Sequence, residues 1–339
     1  MEYRLLSKYR AELMGCAMLW VMLFHAFDLD LGFAPLNYFR AAGFGGVDVF
    51  IVLSAMGLVM SFEKKVPAYD AFMARRASRI LPAYFAVMLP YTLFLILYYG
   101  HPWSALVWNS TLLYYWVHTP GAFNWYVAGA MTFYAIFPLC YRKLKSWRSR
   151  EMLTAAGVVL SLAVCQILER EDYWQYVDFF FRVPLFFLGL LLGFYVSESR
   201  VVTRRCAVFW TLSFALGIAY GVKVFLTGPT LGEWETPLCH MFFFTTVPMC
   251  LGGCWLFEKL PLAVPRKILR FIGNNSLEIY LLNVSVFCEL DLLRRFVHFG
   301  PSNRLYFLVM FIVNIALGAA LHRGVEYIKQ TKNKETCNR

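Results

Sequence analysis

Two ionisable residues lie in apolar surroundings near the start of the chain. His25 is close to the end of an apolar run from residue 13 to residue 27, and Asp48 is near the start of the next run. If both runs cross a bilayer they are antiparallel, so the imidazole and the carboxylate lie at about the same depth. A carboxylate can orient a histidine and raise its basicity, which is how a general base is built. The pair is therefore a candidate catalytic site.

An arginine cluster is the second candidate site. Arg75, Arg76 and Arg79 occupy positions i, i+1 and i+4, so on a helix the first two both neighbour the third. Guanidinium groups bind phosphate bidentately, so the cluster would suit a phosphorylated ligand. Arg10 precedes His25 by 15 positions, which is roughly 22 Å along a helix, so Arg10 is expected near the inner surface and His25 near the outer one. The alternative is that these arginines only anchor the chain at the inner membrane surface.

The composition indicates that these residues are positioned by membrane helices. The chain is 60% hydrophobic and 16% charged, against roughly 45–50% and 25% in soluble domains. Ten apolar segments reach or approach the roughly 20 residues that a membrane-spanning helix needs. They lie near residues 11–29, 45–62, 80–99, 124–142, 151–168, 179–197, 206–226, 238–257, 271–288 and 304–323. We therefore expect an all-α, polytopic membrane helical bundle of about ten transmembrane helices.

The distribution of basic residues predicts the topology. With the N-terminus inside, 25 of the 32 lysines and arginines fall in inner segments, and the outer loops 100–123 and 227–237 contain none. The positive-inside rule then places both termini in the cytoplasm. We expect one membrane domain, residues 1–328, and a short polar cytoplasmic tail, residues 329–339. The same distribution accounts for the net charge of +11, so no nucleic-acid partner is expected. The nine cysteines show no paired-ligand spacing, so no metal site is expected.

Further polar residues map to the predicted outer half of the bundle. They are Trp125, Arg182 and Asn283. Together with His25 and Asp48 they predict a polar cavity that opens outward. Each residue also has a simpler interpretation. His25 could be an interfacial residue, Asp48 a helix cap, and Arg182 a side chain that reaches the headgroups.

Seven sequence blocks, in order, resemble the acyltransferase-3 family of multi-pass membrane O-acyltransferases. The blocks are LWVMLFHAF, GVDVFIVLSAMG, ARRASRILPAY, WYVAGAMTFYAIFP, RVPLFFLGLLLG, LRFIGNNSLEIYLLNV and HRGVEY. They contain His25 and Asp48, the arginine cluster, and the polar residues of the outer half. The resemblance extends through nearly the whole chain.

This resemblance implies a reaction and roles for the candidate residues. Such proteins move an acyl group, usually acetyl from cytoplasmic acetyl-CoA, to a hydroxyl of a carbohydrate or other cell-envelope acceptor, here across a bacterial cytoplasmic membrane. His25, helped by Asp48, would be the general base or a transient acyl carrier. The implied binding residues for the phosphates of the donor are Arg10, Arg75, Arg76 and Arg79. The implied acceptor-site candidates are Trp125, Tyr134, Arg182 and Asn283.

The chain departs from the family pattern in several places. The family arginine expected eleven positions before the histidine is Met14, and Arg10, one turn earlier, would take its place. Paired glutamates are replaced by Ala130 and Met131, and Asn283 stands where a histidine is common. These changes mark a divergent subgroup. The alternative function is a transporter or flippase for a polysaccharide or lipid-linked sugar, since ten spans and an outward polar cavity would suit it too.

Overall fold

The computed structural model describes residues 1–117, 125–146, 149–171, 173–227, 235–289 and 304–337 of the 339-residue chain. These residues are almost entirely helical, and no β-strand occurs among them. One isolated bridge pairs the backbone of Glu2 with that of Val201. The predicted all-α class is confirmed for this part of the chain.

Most of the helices are joined by short turns. In chain order they are α1 Arg4–Lys8, α2 Arg10–Phe24, α3 Ala34–Ala41, α4 Gly46–Lys64, α5 Tyr69–Tyr99, α6 Ser104–Ser110, α7 Tyr114–Val117, α8 Trp125–Ser146, α9 Arg150–Arg170, α10 Trp174–Phe180, α11 Val183–Ser197, α12 Arg204–Thr227, α13 Glu235–Lys259, α14 Ala263–Asn274, α15 Ser276–Leu282 and α16 Arg304–Cys337. A 3₁₀ turn, Ala42–Gly45, joins α3 to α4, and a π-helical segment, Asn283–Glu289, continues α15.

Seven helical segments of the described residues are long and apolar enough to cross a membrane. They are Ala34–Lys64, Tyr69–Tyr99, Arg150–Leu168, Tyr176–Ser197, Arg204–Thr227, Cys239–Lys259 and Arg304–Thr331. Each overlaps one of the ten predicted spans. The polytopic character is thus supported by length and composition, which are the properties that set the cost of crossing the hydrocarbon core.

The count of ten is not confirmed, because three predicted spans fall short of those limits. The helix near 11–29 is α2, which has only 15 residues. The helix near 124–142 is α8, which is long enough but contains Trp, Tyr, Pro and basic residues. The segment near 271–288 is divided at Asn275 into the amphipathic helix α14 and a short apolar helix, Ser276–Phe287.

Helix α4 lies at the centre of the bundle, and glycines set its distance from its neighbours. It runs antiparallel to α2, since Gly46 meets the carbonyl of Ala17 while Gly57 meets the guanidinium of Arg10. It runs parallel to α11, where Gly189 and Gly193 meet successive turns of α4. Small residues permit this close backbone approach in helical membrane proteins. Most residues of α4 are consequently buried.

Helix α14 crosses α2 at a contact between backbones. A β-carbon on Gly273 would lie 1.9 Å from the carbonyl oxygen of Ala11, and one on Gly15 would lie 2.0 Å from that of Leu269. Any other residue at either position would push the two helices apart. This crossing holds α14 against the first turns of α2, close to Arg10.

We expect Gly273→Ala to lower the free energy of unfolding, because its added methyl group collides with backbone that cannot rotate away. The cost of such overpacking is typically about 1–3 kcal/mol. Gly324→Ala in α16 is the matched control, since no atom lies within 4 Å of its added carbon and alanine favours a helix. Thermal unfolding of the purified proteins checks this, and equal stability of the two variants would contradict the close crossing.

Candidate functional site

Three arginines from two helices line one cavity, which we call the arginine cavity. Arg10 comes from α2, and Arg76 and Arg79 come from α5. The cavity has a volume of about 110 Å³, and its other lining residues are Met14, Phe50, Ser54, Gly57, Leu58, Ile80, Tyr126, Tyr134, Ser276, Leu277 and Tyr280. Gly57 makes room for Arg10. A β-carbon at position 57 would lie 3.2 Å from the guanidinium carbon of Arg10.

These three guanidinium groups have no carboxylate partner within the described part of the chain. The Nε atoms of Arg10 and Arg76 are buried there and make no hydrogen bond. Arg76 instead lies over the rings of Phe72 and Tyr134, at 5.3 and 5.7 Å. Unpaired positive charges in a partly desolvated space repel one another and attract an anion. The arginine cavity is therefore suited to a negatively charged ligand.

A larger cavity, which we call the polar cavity, adjoins the first. Its volume is about 340 Å³, and it shares five residues with the arginine cavity: Arg10, Met14, Arg79, Ser276 and Leu277. Its remaining lining residues are Ser7, Lys8, Ala11, Glu12, Arg270, Gly273, Asn274, Glu278, His322 and Glu326. The shared residues form the boundary between the two cavities.

Each carboxylate of the polar cavity already has a basic side chain as its partner. Glu12 accepts a hydrogen bond from Arg270 at 2.6 Å, and Glu278 is 3.0 Å from the Nδ1 atom of His322. Glu326 accepts one from a lysine of the next turn, at 2.6 Å. Arg10 and Arg79 lie at the boundary between the cavities. Among the described residues, neither arginine forms an ion pair with a carboxylate.

Two predicted binding residues lie elsewhere than expected. Arg75 is exposed and lines neither cavity in the described structure. Adjacent helix positions point about 100° apart, so Arg75 turns away when Arg76 turns inward. Tyr134, an acceptor-site candidate, lies in the arginine cavity, with its hydroxyl 3.2 Å from that of Ser54. It therefore belongs with the predicted donor residues.

The predicted pairing of His25 with Asp48 is wrong. Asp48 lies 3.3 Å from the Nε atom of Arg182, and both side chains are almost completely buried. The Nη1 atom of Arg182 also bonds to Asp178, donating to its carboxylate at 2.9 Å and to its carbonyl at 2.7 Å. The guanidinium lies 4.5 Å from the ring of Trp125. This cluster joins α4, α8, α10 and α11 at one end of the bundle.

His25 is oriented by the backbone instead of by a carboxylate. It ends α2, and its Nδ1 atom is 2.9 Å from the carbonyl oxygen of Val21. A carbonyl oxygen can only accept, so Nδ1 carries the proton and Nε2 keeps its lone pair. The imidazole also lies against the side chain of Asn283. An oriented ring whose Nε2 atom keeps its lone pair is what a general base requires.

The arginine cavity and His25 are thus arranged along α2. Arg10 begins the helix and His25 follows its last residue, so the two lie roughly 22 Å apart. Such an arrangement can hold the anionic end of a long ligand at Arg10 and act on a group near His25.

The family model of the acyltransferase-3 family, described as an acyltransferase domain, matches residues 13–323. The chain belongs to this family. No curated protein and no solved structure matches the chain. As a member of the acyltransferase-3 family with several apolar helices of membrane-spanning length, the protein is a multi-pass membrane protein.

Several residues at the site of this acyltransferase-3 protein were not predicted from the sequence. Glu12 and Glu278 each interrupt an apolar segment, which is a signal that they are buried. His322 stands 44 positions from Glu278, and nothing in the sequence predicts that they meet. Asp178 lies one turn before Arg182, a spacing that does predict an ion pair.

Proposed function

We propose that the protein is a membrane O-acyltransferase, most simply an O-acetyltransferase of the bacterial cytoplasmic membrane. It would take an acyl group from cytoplasmic acyl-CoA and transfer it to a hydroxyl of an extracytoplasmic carbohydrate or other cell-envelope acceptor. The observation that carries this proposal is the arginine cavity, where three arginines without carboxylate partners converge at the far end of α2 from His25.

The chemistry of the arginine cavity supports a coenzyme A thioester as donor. Coenzyme A carries its phosphates at one end and its thioester at the end of a long, narrow arm. Arginines suit the phosphates because each presents a planar set of donors. The wider polar cavity would accept the nucleotide portion, and the arm would continue into the bundle. Arg10 and Met14 line the same two cavities, which supports Arg10 as the substitute for the family arginine missing at Met14.

The charge distribution supports a cytoplasmic position for the arginine cavity. If both termini are cytoplasmic, 25 of the 32 lysines and arginines lie on the inner side, as the positive-inside rule expects. Arg10, Arg76 and Arg79 then face the compartment that contains acyl-CoA. His25 faces the opposite side, where a cell-envelope acceptor would enter.

His25 would act as the general base at the acceptor hydroxyl. Its Nε2 atom takes the hydroxyl proton while the hydroxyl oxygen attacks the thioester carbonyl carbon. The carbon–sulfur bond then breaks, and the coenzyme A thiolate takes the proton from the imidazolium. The hydrogen bond from Nδ1 to the carbonyl of Val21 keeps Nε2 in the basic form. Asp48 and Arg182 would position the ends of α4 and α11 around this site, with Trp125 as an acceptor contact.

We expect Arg76→Ala and Arg79→Ala each to weaken the binding of acetyl-CoA about 10- to 100-fold, because each removes a charged hydrogen bond worth roughly 1.5–3 kcal/mol. Isothermal titration of the purified protein in detergent with acetyl-CoA measures this. Arg75→Ala is the matched control, since Arg75 is on the same helix but lines neither cavity in the described structure, and its affinity should equal that of the wild type.

Two results would contradict the proposal. If the wild-type protein binds no acetyl-CoA, acetyl-CoA is excluded as the acyl donor. Equal losses from Arg75→Ala and Arg79→Ala would show that the arginines act only through the net charge of the inner surface.

A further inference from the structure

Two asparagines deep in the bundle have unused hydrogen-bonding groups. Asn283 and Asn314 are completely buried. The nitrogen and oxygen atoms of the Asn314 amide make no hydrogen bond to any described part of the chain. The Asn283 side chain lies against the imidazole of His25, but neither of its polar atoms makes a hydrogen bond of normal geometry among the described residues. Buried polar groups without partners cost stability and are uncommon in native proteins, so each calls for an explanation. Groups that serve a substrate are one such explanation.

The two amides lie at the same level of the bundle. Helix α15 runs antiparallel to α16, because Gly318 packs on Ile279 while His322 bonds to Glu278. One helical turn beyond Ile279 is Asn283, and one turn before Gly318 is Asn314. A further turn along each helix, Phe287 and Met310 belong to one apolar cluster. Asn283 and Asn314 therefore occupy one layer between these two sets of contacts.

Two independent features connect this layer with the proposed chemistry. The imidazole of His25 lies against the Asn283 side chain, and the apolar cluster of the next layer contains Ala26. The backbone also changes from α-helical to π-helical at Asn283. Single π-helical turns within helices occur frequently at functional sites, where they change the direction of side chains.

We propose that the amide N–H groups of Asn283 and Asn314 bind the acyl carbonyl oxygen beside His25 and stabilise its negative charge during transfer. This inference rests on the proposed function and assigns the oxyanion-binding residues of that site. When the acceptor oxygen bonds to the carbonyl carbon, its proton moves to Nε2 of His25 and the carbonyl electrons move to the oxygen. The two amides donate to that oxygen. The carbonyl bond then re-forms as the thiolate leaves and takes the proton.

The physical basis is that such donors are already in place before charge develops. Amide side chains held in a water-poor site stabilise an oxyanion without reorganising. An apolar residue of the same size would abolish this stabilisation but would also remove an unsatisfied buried group. Activity and stability should consequently change in opposite directions.

The test is Asn314→Leu, assayed with acetyl-CoA as donor and excess methyl glucoside as hydroxyl acceptor, by release of the coenzyme A thiol. We expect kcat to fall about 100-fold or more, the usual loss for one oxyanion donor, while the KM for acetyl-CoA is unchanged. The thermal unfolding temperature should be equal to or higher than that of the wild type. Asn283→Leu should behave in the same way.

Thr154→Val is the matched control. Thr154 is a buried residue of α9 whose hydroxyl also has no partner among the described residues, and no observation connects it with His25. Its replacement should preserve both stability and kcat.

The outcomes separate this inference from the proposed function. If the wild type transfers acetyl and Asn314→Leu retains its kcat, the inference fails alone. A lower unfolding temperature for Asn314→Leu would show that the amide has a structural role, which also overturns it. A wild type that releases no thiol in this assay overturns the inference together with the transfer reaction, whereas donor binding is judged separately by the titration of the arginine variants.

Discussion

The His25→Ala protein is expected to transfer acyl groups at least about 100-fold more slowly than the wild type, the lower limit for loss of a positioned general base. The imidazole bonds to the carbonyl of the preceding turn, and it holds no distant helix by an ion pair. Membrane insertion, folding and acetyl-CoA binding should therefore be unaffected. Rates are measured by thiol release from acetyl-CoA, and binding by titration.

The comparison variant for this prediction is His101→Ala. His101 is exposed just after the end of α5 and belongs to neither cavity of the described structure, so its removal should leave the rate unchanged. A His25→Ala protein with the wild-type rate would exclude His25 as the base. Loss of donor affinity in the same variant would instead indicate that His25 contacts the donor.

Arg182→Met is expected to destabilise the protein by roughly 3–5 kcal/mol, the usual cost of leaving a buried charge without its partner. Asp48 would lose its only ion-pair partner among the described residues, and its side chain is only 1% exposed. Asp178 would also lose its partner, but it is 36% exposed and can be hydrated. The change should be seen as a large fall in the unfolding temperature in detergent.

Two further variants make this prediction specific. Asp48→Leu combined with Arg182→Met removes both buried charges, and it should recover most of the lost stability. Arg200→Met serves as the exposed control, because Arg200 bonds to Glu151 and Glu198 but is 43% exposed. Its loss should cost no more than about 1 kcal/mol. Equal stability of Arg182→Met and Arg200→Met would mean that the buried pair does not hold the helices together.

The sequence predicted those features that depend on composition and on position along a helix. Apolar run lengths predicted helices, and seven of the segments have membrane-spanning length and apolarity. Helical spacing predicted that Arg75 and Arg76 both neighbour Arg79, and of these three Arg76 and Arg79 line the arginine cavity. Antiparallel spans predicted that His25 and Asp48 lie toward one end of the bundle, as α2 and α4 show.

The rotation of each helix about its axis was not predictable from the sequence. Depth alone suggested that His25 meets Asp48, whereas the close packing of α4 on α11 turns Asp48 toward Arg182. In the same way Arg75 and Arg76 are equivalent in the sequence, but only Arg76 turns inward. Contacts between distant segments, such as Glu278 with His322, depend on how α15 packs on α16, and no local pattern encodes that.

The three predicted spans that lack membrane-spanning length or apolarity each contribute a residue to the site. Helix α2 carries Arg10, α8 carries Tyr134, and the short helix after Asn275 carries Asn283. Polar side chains that line a cavity reduce the mean hydropathy of a helix, and a break in a helix shortens its apolar run. The polar residues and helix breaks that form the site therefore make these helices hard to recognise as membrane-spanning helices.

The boundary shared by the arginine and polar cavities has a consequence for turnover. Under the proposed function, Arg10 and Arg79 bind phosphates that acetyl-CoA and free coenzyme A have in common. These two arginines therefore do not distinguish acetyl-CoA from free coenzyme A. Free coenzyme A must then be released from the same two arginines before the next acetyl-CoA can bind. The rate of modification outside the cell would follow the ratio of acetylated to free coenzyme A in the cytoplasm, which couples the cell surface to the metabolic state within.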